Sequence, residues 1–575
     1  MDHILQSSAG VQQGDALGPL LFSLALQPVL KDLRAAPGVD VVFGYLDDVV
    51  ICGDDSAVRR AVEILDARAR QIGLLLNMSK CTLVPPARGN HSCDLTSFDA
   101  RIKRNTSGCF KLLGAPIGDI DYCRGWICKE RIAKLRKLLR AVPDLEDAQI
   151  AHKILHQCLG QCRVVYAMRT TRPDWASTAF AEVDADLRQA FEEATGRPWS
   201  VQQWNQATLA IKRGGLGLRS AQKHAPAAYL SSRLATRSAC RQLDQAYAWT
   251  SGNADDWLVR TIETLNQNLA ADDQVAPDDL APEATLLTQK DLSRRLECAQ
   301  LAELIQHSEP VDKARLRAVS APHAGGWLQA QPAETFGQRW THAEFVAGVQ
   351  IWLGSMVQSA DGWCPQCDQV MDSRGHHAFA CMAGGDADLC HSDVRDFTYR
   401  QATAAGLCPG REDPKLLPDD PRRRPGDLFF SQWPGGGKVA LDFAITSPLQ
   451  LSQVGEAART QLAAATAYEA RKLSDRDTAR RCAAHGISLV PMVAESLGGW
   501  GPRAQKAINI IARAAAACSG HTVGISTARI YEGLSTRIMR ANARSLLARV
   551  TRCGNATACA GAAHDRARAR LSGWQ

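Results

Sequence analysis

The chain has 575 residues, too many for a single hydrophobic core, since compact domains average about 150 residues. Apolar residues make up 45% and charged residues 22%, with 44 Gly and 25 Pro, which excludes a collagen-like or wholly disordered protein. The 19 Cys are too few for a disulfide scaffold, in which roughly 8–10% of residues are Cys, so reduced thiols are expected. No apolar run of about 18 residues and no signal-peptide pattern occurs, which predicts a soluble protein that neither binds a membrane nor is secreted.

Positive charge is concentrated in two segments, although the whole chain carries a net of only +7. Residues 501–575 have a net of +10 and residues 101–140 a net of +8. Such local excesses favour polyanions through counterion release, but they are also typical of a solvated helix face. Nucleic-acid binding is therefore a hypothesis that the motifs must decide.

Apolar periodicity predicts a mixed α/β unit near the start of the chain. Residues 15–34 favour a helix that opens at Gly18-Pro19, and residues 56–73 favour an amphipathic helix. Between them, residues 39–51 contain two β runs joined by Tyr45-Leu46-Asp47-Asp48. This pattern predicts a β-hairpin with carboxylates at its turn.

Helical periodicity dominates the middle of the chain, with two helices predicted over residues 129–167 around a break at Pro143. Residues 251–290 have a net charge of −6 and are interpreted as a solvated acidic linker. A second α/β unit is predicted from two β runs over 425–447, an Ala-rich helix over 454–474 and a strand over 487–494.

The adjacent Asp47 and Asp48 put two carboxylates at one rigid corner, which suits a hard divalent cation such as Mg²⁺ or Mn²⁺. Asp is also common in turns, so the pair alone is weak evidence. Three further motifs flank it: SAGVQQGDALGPLLF at 8–22, GLLLNMSKC at 73–81 and FKLLGAPIG at 110–118. In this order, the four motifs resemble the second half of a reverse transcriptase domain over about residues 6–120.

The resemblance implies a role for each matching residue. Asp47 and Asp48 match the metal-binding tyrosine-x-aspartate-aspartate box that starts at Tyr45. Lys80 matches a lysine that approaches the triphosphate and serves as a candidate general acid. The remaining matches are Gln13, Gly14 and Asp15 in the segment that contacts template and nucleotide, and Leu113 and Gly114 in the primer grip.

One departure from the family pattern limits the polymerase prediction. The family has a further catalytic aspartate on an earlier strand, together with the fingers region, and neither Asp2 nor Asp40 matches that motif. We therefore expect that the chain as written does not polymerise DNA. Residues 126–170 and 214–220 resemble the thumb of non-LTR retrotransposon reverse transcriptases. The basic residues that would follow a phosphate backbone there are Lys134, Arg136, Lys137 and Arg140.

A cysteine and histidine cluster predicts a zinc site. Cys364, Cys367, His377 and Cys381 supply four ligands in a C-x2-C-x9-H-x3-C spacing. By spacing alone His376 could replace His377, and Cys390 and His391 are further candidate ligands. The similar cluster of these retrotransposons favours His377, and small knuckles of this kind usually grip nucleic acid.

A second carboxylate pair lies on the β runs over 425–447. Asp427 and Asp442 on paired strands can face one Mg²⁺, although aspartates on strands are ordinary in isolation. Following a zinc knuckle, the pair resembles the restriction-like endonuclease domain of one class of non-LTR retrotransposons. Gly426 and Ala444 depart from that pattern, the latter where a lysine is usual. Lys472, with Tyr468 beside it, is the expected replacement, and Lys438 and Glu495 are rivals.

The resulting prediction is a multidomain α/β and α protein. It consists of half a reverse transcriptase palm (1–125), a helical thumb (126–235), a helical connector with the acidic linker (236–360), a zinc knuckle (361–400), a restriction-endonuclease-like α/β domain (401–515) and a basic tail (516–575). The predicted function is that of a retrotransposon RNA-directed DNA polymerase fragment with a DNA-nicking endonuclease for target-primed reverse transcription. A non-catalytic nucleic-acid-binding remnant is the alternative. Mg²⁺ or Mn²⁺ and Zn²⁺ are the expected cofactors, with an RNA template and a DNA target as partners in the nucleus. The sequence leaves the oligomeric state open.

Overall fold

The computed structural model describes residues 10–11, 14–85, 94–243, 256–281, 284–413, 416–418 and 420–550. These residues form an N-terminal α/β unit, a helical body, a small two-stranded loop and a C-terminal four-stranded sheet. Within them, no helix combines the length and the apolar character needed to cross a membrane.

The N-terminal unit is a hairpin packed against two helices. Strands β1 (Val39–Tyr45) and β2 (Asp48–Gly53) pair antiparallel, and helices α1 (Gly18–Arg34) and α2 (Asp55–Gln71) share a core with them. The apolar periodicity of α1 and α2 supplies most of this core, so both predicted helices and the predicted hairpin are confirmed. Four short strands follow: β3 (Thr82–Leu83), β4 (Lys103–Arg104), β5 (Phe110–Leu112) and β6 (Ala115–Ile117).

A helical body occupies residues 120–353. Its first helices are α3 (Ile120–Ile127), α4 (Ala133–Leu139), α5 (Ala148–Ile154), α6 (Val165–Thr170), α7 (Pro173–Thr195), α8 (Val201–Ala207) and α9 (Ala221–Leu243). The long α7 begins at Pro173, where a missing N–H costs nothing, and buries Phe180, Leu187 and Phe191. The two helices predicted over 129–167 lie on either side of the predicted break at Pro143, each continuous with a π turn, and α6 follows as a separate short helix.

The acidic stretch is not a solvated linker where the structure describes it. Residues 256–281 form α10 (Asp256–Asn266) and two 3₁₀ turns, and then α11 (Gln289–Gln306) follows. Leu258 and Val275 are buried in a core shared with α9 and α11, while Asp272 and Asp278 face solvent. The prediction was wrong because the charge total concealed apolar residues on the inner face. The body ends with α12 (Pro310–Val319), α13 (Gly326–Gln329) and α14 (His342–Leu353).

The small loop and the C-terminal sheet are joined by one helix. Strands β7 (Gly362–Trp363) and β8 (Val370–Met371) pair in the loop, and α15 (Asp386–Ala404) leads into the sheet. The sheet contains β9 (Pro409–Arg411), β10 (Leu428–Phe430), β11 (Lys438–Thr446) and β12 (Ile487–Glu495), in the order β12-β11-β10-β9.

Strand β12 runs parallel to β11, whereas the other neighbours are antiparallel. A parallel pair needs a crossover, which here contains α16 (Val454–Ala457), α17 (Ala463–Ser474) and α18 (Thr478–Ala484). The β runs and the strand predicted in this region are confirmed. The helix predicted over 454–474 is split, because Leu462 takes a left-handed conformation with φ 60°.

Two helices close the described chain, α19 (Pro502–Ser519) and α20 (Val523–Arg549). Residues 523–549 are therefore not a basic tail, contrary to the prediction. Ile538, Met539 and Leu546 of α20 are buried, and the helix packs on α13, α14, α15 and α19. Arg537, Arg544 and Arg549 of this helix form ion pairs with acidic residues elsewhere in the protein, which a count of charges along the sequence cannot reveal. The remaining tail, residues 551–575, lies outside the described residues.

Candidate functional site

Asp47 and Asp48 lie at the tip of the β1–β2 hairpin. Tyr45 pairs with Asp48, so Leu46 and Asp47 form a two-residue loop, and Leu46 adopts a left-handed φ of 54°. Both aspartates are exposed, as is Tyr45. Two neighbouring carboxylates on a short, packed hairpin can hold a hard divalent cation. Asp40 lies at a register shift near the other end of the hairpin, about 17 Å along the strand from Tyr45 and its partner Asp48, so it cannot join them.

The other residues of this region surround the hairpin core. Leu74 and Leu76 pack against that core and lead to Lys80, an exposed residue at the end of a 3₁₀ turn. Gly14 has a φ of +97°, and the Asp15 carboxylate accepts the Leu17 N–H at 2.9 Å at the start of α1. Gln13 lies outside the described residues.

Leu113 and Gly114 form the loop of a second hairpin. Leu112 pairs with Ala115, and both loop residues have positive φ, 47° and 81°. The Tyr166 hydroxyl donates to the Leu113 carbonyl at 2.7 Å, and the Arg131 guanidinium donates to the Gly114 carbonyl at 3.2 Å. The helical body therefore fixes this hairpin, through two residues that belong to no motif.

Three cysteines and one histidine converge beside strands β7 and β8. The ligand atoms of Cys364, Cys367, His377 and Cys381 all lie within 4.8 Å of one another. Cys367 Sγ is 3.2 Å from His377 Nε2 and 3.7 Å from Cys381 Sγ. Tetrahedral zinc with Zn–S bonds near 2.3 Å places its sulfur ligands about 3.8 Å apart, so the donor set and its spacing fit zinc.

The alternative ligands lie elsewhere. His376 Nδ1 faces the Asp372 carboxylate at 3.4 Å instead of the cysteines. Cys390 is buried in the core of the C-terminal sheet, where burial raises the pKa of its thiol to about 12. His391 contacts Asp427 of the C-terminal sheet instead, with its Nε2 3.4 Å from Asp427 Oδ2.

Helix α20 holds in place the loop that carries the four ligands, residues 362–385, which we call the cysteine loop. Ser545 donates from its hydroxyl to the Ala378 carbonyl at 2.9 Å, and Arg549 donates to the Ala383 carbonyl at 2.7 Å. Arg549 also pairs with Asp386 at 2.6 Å, and its side chain is fully buried. The end of one long helix thereby ties the loop to the start of α15.

Asp427 and Asp442 face each other across two strands. Leu428 pairs with Leu441, and the N–H of the preceding Asp427 donates to the Leu441 carbonyl at 2.8 Å, so Asp427 lies beside Asp442 at this end of the two strands. Their side chains are 20% and 24% exposed. Neighbouring like charges repel each other, and partial burial adds a desolvation cost. The pair therefore requires cationic neighbours.

Lys472 of α17 is one such neighbour. Its ammonium lies 2.7 Å from Asp442 Oδ1 and 3.1 Å from the Phe443 carbonyl oxygen. Burial raises the pKa of Asp442 above its ordinary value, although the Lys472 charge opposes that shift. The rivals are remote: Lys438 and Glu495 each lie four residues along a strand from the level of Asp442, about 13 Å away.

His391 is the other neighbour. Its Nε2 lies 3.4 Å from Asp427 Oδ2, which also accepts the Phe443 N–H at 2.7 Å. The contact with Asp427 raises the pKa of His391, whereas burial opposes it. Burial opposes ionisation of Asp427 as well, but the contact with His391 and the Phe443 N–H lower its pKa overall. A divalent cation fits a site with two opposed carboxylates and an imidazole.

Comparison with known families identifies the first of these regions. A family model described as reverse transcriptase (RNA-dependent DNA polymerase) matches residues 3–117. That range contains the hairpin with Asp47 and Asp48, as well as Lys80 and the Leu113-Gly114 loop. Residues 3–117 are part of a reverse transcriptase domain.

A curated protein supports the same identification. The chain is 25% identical over 289 residues to the retrotransposable element SLACS 132 kDa protein of Trypanosoma brucei gambiense. The aligned region covers 48% of this chain and 23% of that protein. The chain thus spans about a quarter of the length of this relative. The two matches agree in pointing to similarity with reverse transcriptases and with a retrotransposable element protein.

Outside the reverse transcriptase domain, the structure brings together the predicted cysteines with His377, and Asp427 with Asp442 and Lys472. Sequence reasoning missed His391 as part of the acidic site, because its position beside Cys390 suggested a zinc ligand instead. Its distance along the sequence from Cys381 could have indicated that His391 lies beyond the cysteine cluster, on the second turn of the next helix, α15.

Proposed function

We propose that the chain is part of a retrotransposon protein that nicks DNA at the site formed by Asp427, Asp442 and Lys472. The observation that carries the proposal is the Lys472 ammonium beside Asp442, at 2.7 Å, in a site where two carboxylates oppose each other. A bound divalent cation would supply Lewis-acid activation of water and phosphate.

The side chains have separate roles in this proposal. Asp427 and Asp442 would hold the cation, with Asp427 fixed in orientation by the Phe443 N–H. Lys472 places a positive charge where a phosphodiester would gain negative charge during cleavage. Its hydrogen bond to the Phe443 carbonyl keeps the ammonium in position before substrate arrives.

Relaxed plasmid formation in Mg²⁺ or Mn²⁺ tests the proposal. Asp427→Asn and Asp442→Asn should each lower the nicking rate by about 100-fold or more, and Lys472→Ala by about 100-fold. Asp388→Asn is the matched control, because Asp388 is an exposed aspartate on α15 that is neither of the two carboxylates of the site. Nicking that survives both aspartate substitutions would refute the proposal.

A non-catalytic nucleic-acid-binding remnant is the second candidate. The ion pair between Lys472 and Asp442 favours it, since the pair already neutralises one carboxylate without a cation. In that case DNA binds, as gel shift would show, and no nick forms with either metal. Chelation of zinc would then weaken nucleic-acid binding, because the cysteine loop is the proposed contact.

The proposed setting is target-primed reverse transcription, with an RNA template and a nicked DNA target in the nucleus. Its support is the reverse transcriptase domain at residues 3–117 together with the similarity to a retrotransposable element protein. A fluorescently tagged chain that stays excluded from the nucleus would contradict this setting.

A further inference from the structure

An imidazole enters the acidic site from the helix that follows the cysteine loop. His391 lies on the second turn of α15, and its side chain is 31% exposed. Its Nε2 approaches Asp427 Oδ2 at 3.4 Å. The site therefore presents a nitrogen donor beside its two opposed carboxylates.

The 3.4 Å contact is longer than a good N–H···O hydrogen bond, which spans about 2.7–3.2 Å. Asp427 Oδ2 is instead satisfied by the Phe443 N–H at 2.7 Å. Neighbouring ligands of one octahedral cation with bonds of roughly 2.1 Å lie about 3 Å apart. The spacing of Nε2 and Oδ2 is thus close to that of two ligands of one ion.

The backbone that carries His391 is held in place from both sides. Arg549 pairs with Asp386 at the start of α15 at 2.6 Å. Farther along the helix, Arg395 pairs with Glu412 at 2.6 Å. These contacts fix the helix relative to the sheet, so the imidazole is positioned before any ligand binds.

We propose that His391 is a third protein ligand, with Asp427 and Asp442, for the divalent cation of this site. The inference rests on the proposed nuclease function and extends it to metal selectivity. Mg²⁺ binds almost wholly through oxygen, whereas imidazole is a ligand for transition metals. A site with one imidazole should therefore prefer Mn²⁺ to Mg²⁺.

The test uses Mn²⁺ binding to the full zinc-loaded chain. A background of Asp47→Ala with Asp48→Ala removes the two adjacent carboxylates at the hairpin tip, and calorimetry then measures Mn²⁺ affinity. His391→Ala should weaken Mn²⁺ binding at least tenfold, whereas His521→Ala, at an exposed residue, should leave it unchanged. Mg²⁺ should bind more weakly than Mn²⁺ to the unsubstituted site.

Pulsed electron paramagnetic resonance of bound Mn²⁺ gives a direct readout of ligation. The unsubstituted site should show nitrogen-14 modulation from a directly bound imidazole, and His521→Ala should retain it. This measurement decides the inference even if His391→Ala fails to fold. Asp427-dependent Mn²⁺ binding without nitrogen modulation would overturn the inference and leave the nuclease proposal intact. Mn²⁺ binding that does not depend on Asp427 or Asp442 would overturn both.

Discussion

Glu495 and Asp442 lie on neighbouring parallel strands, yet their carboxyl groups meet different surroundings. Asp442 has the Lys472 ammonium at 2.7 Å, whereas Glu495 is 1% exposed and accepts the backbone N–H of Ala465 at 3.3 Å. Burial raises the pKa of Glu495 to about 7. Glu495 therefore serves to cap α17, which is a structural role rather than that of a catalytic rival to Lys472.

The raised pKa of Glu495 predicts a pH-dependent contribution to stability. Between pH 4.5 and 7 the folded state retains a proton that the unfolded state releases, so this contribution is full below pH 4.5 and is lost as pH rises through 7. Glu495→Gln should abolish that loss and raise the free energy of unfolding at pH 8 by about 3 kcal/mol. Thermal unfolding at pH 5 and pH 8 measures the effect. Glu303→Gln, at an exposed helical residue, is the control. Equal pH slopes for Glu495→Gln and the unsubstituted protein would contradict the prediction.

At the scale of elements, helix α20 packs against helices from the helical body and from the C-terminal sheet region. It contacts α13, α14, α15, α19 and the turn that carries His377. Gly533 allows α15 to approach closely, because a Cβ there would lie 2.2 Å from the Phe397 ring. The sequence pattern in this region is rich in alanine and arginine, which obscures its buried face.

Gly533→Ala should therefore destabilise the protein, by about 1–3 kcal/mol, because the added methyl group overpacks the contact with Phe397. Gly524→Ala on the same helix is the matched control. Its Cβ would meet only Thr522 Oγ1 at 3.9 Å, so the change should be neutral or stabilise by up to about 1 kcal/mol. Urea unfolding of both variants provides the comparison, and equal effects would refute the packing argument.

Removal of zinc should loosen both the cysteine loop and the C-terminal end of α20. We expect one zinc ion per chain by elemental analysis, and its loss in Cys381→Ser but not in Cys408→Ser, a cysteine that is exposed. Zinc loss should also accelerate amide hydrogen exchange near residues 543–549, because Ser545 and Arg549 bond to the carbonyls of the loop. Unchanged exchange after zinc removal would show that the loop and α20 are independent.

At the scale of the whole molecule, the reverse transcriptase domain and the C-terminal sheet are separate α/β units with a helical body between them in the chain. The exposed hairpin tip supplies Asp47 and Asp48, and Asp40 is too far along the strand to join them. Two-metal nucleotidyl transfer generally uses carboxylates from more than one strand end. We therefore expect that the carboxylates of the described residues do not suffice for that chemistry.

The 575-residue polypeptide should accordingly show no primer extension on an RNA template with Mg²⁺ or Mn²⁺. The reason is the small number of carboxylates at the tip, so Asp47→Ala should give the same background as the unsubstituted chain. A radiolabelled primer assay measures this. Extension that Asp47→Ala abolishes would show that the carboxylates present suffice.

The sequence by itself determined the local features of this protein. The hairpin at residues 39–53 follows from β runs around a two-residue turn, and the convergence of Cys364 with Cys367 follows from a turn of fixed length. These features depend on neighbours along the chain, and local patterns are therefore sufficient to find them.

Only the tertiary structure decided which distant residues share a site. It placed His391 at Asp427 rather than at the cysteines, chose Lys472 over Lys438, and buried the charged helix α20. Each outcome depends on strand register and helix packing between segments far apart in the chain. The physical reason is that burial and ion pairing are settled by three-dimensional neighbours, which composition and periodicity do not encode.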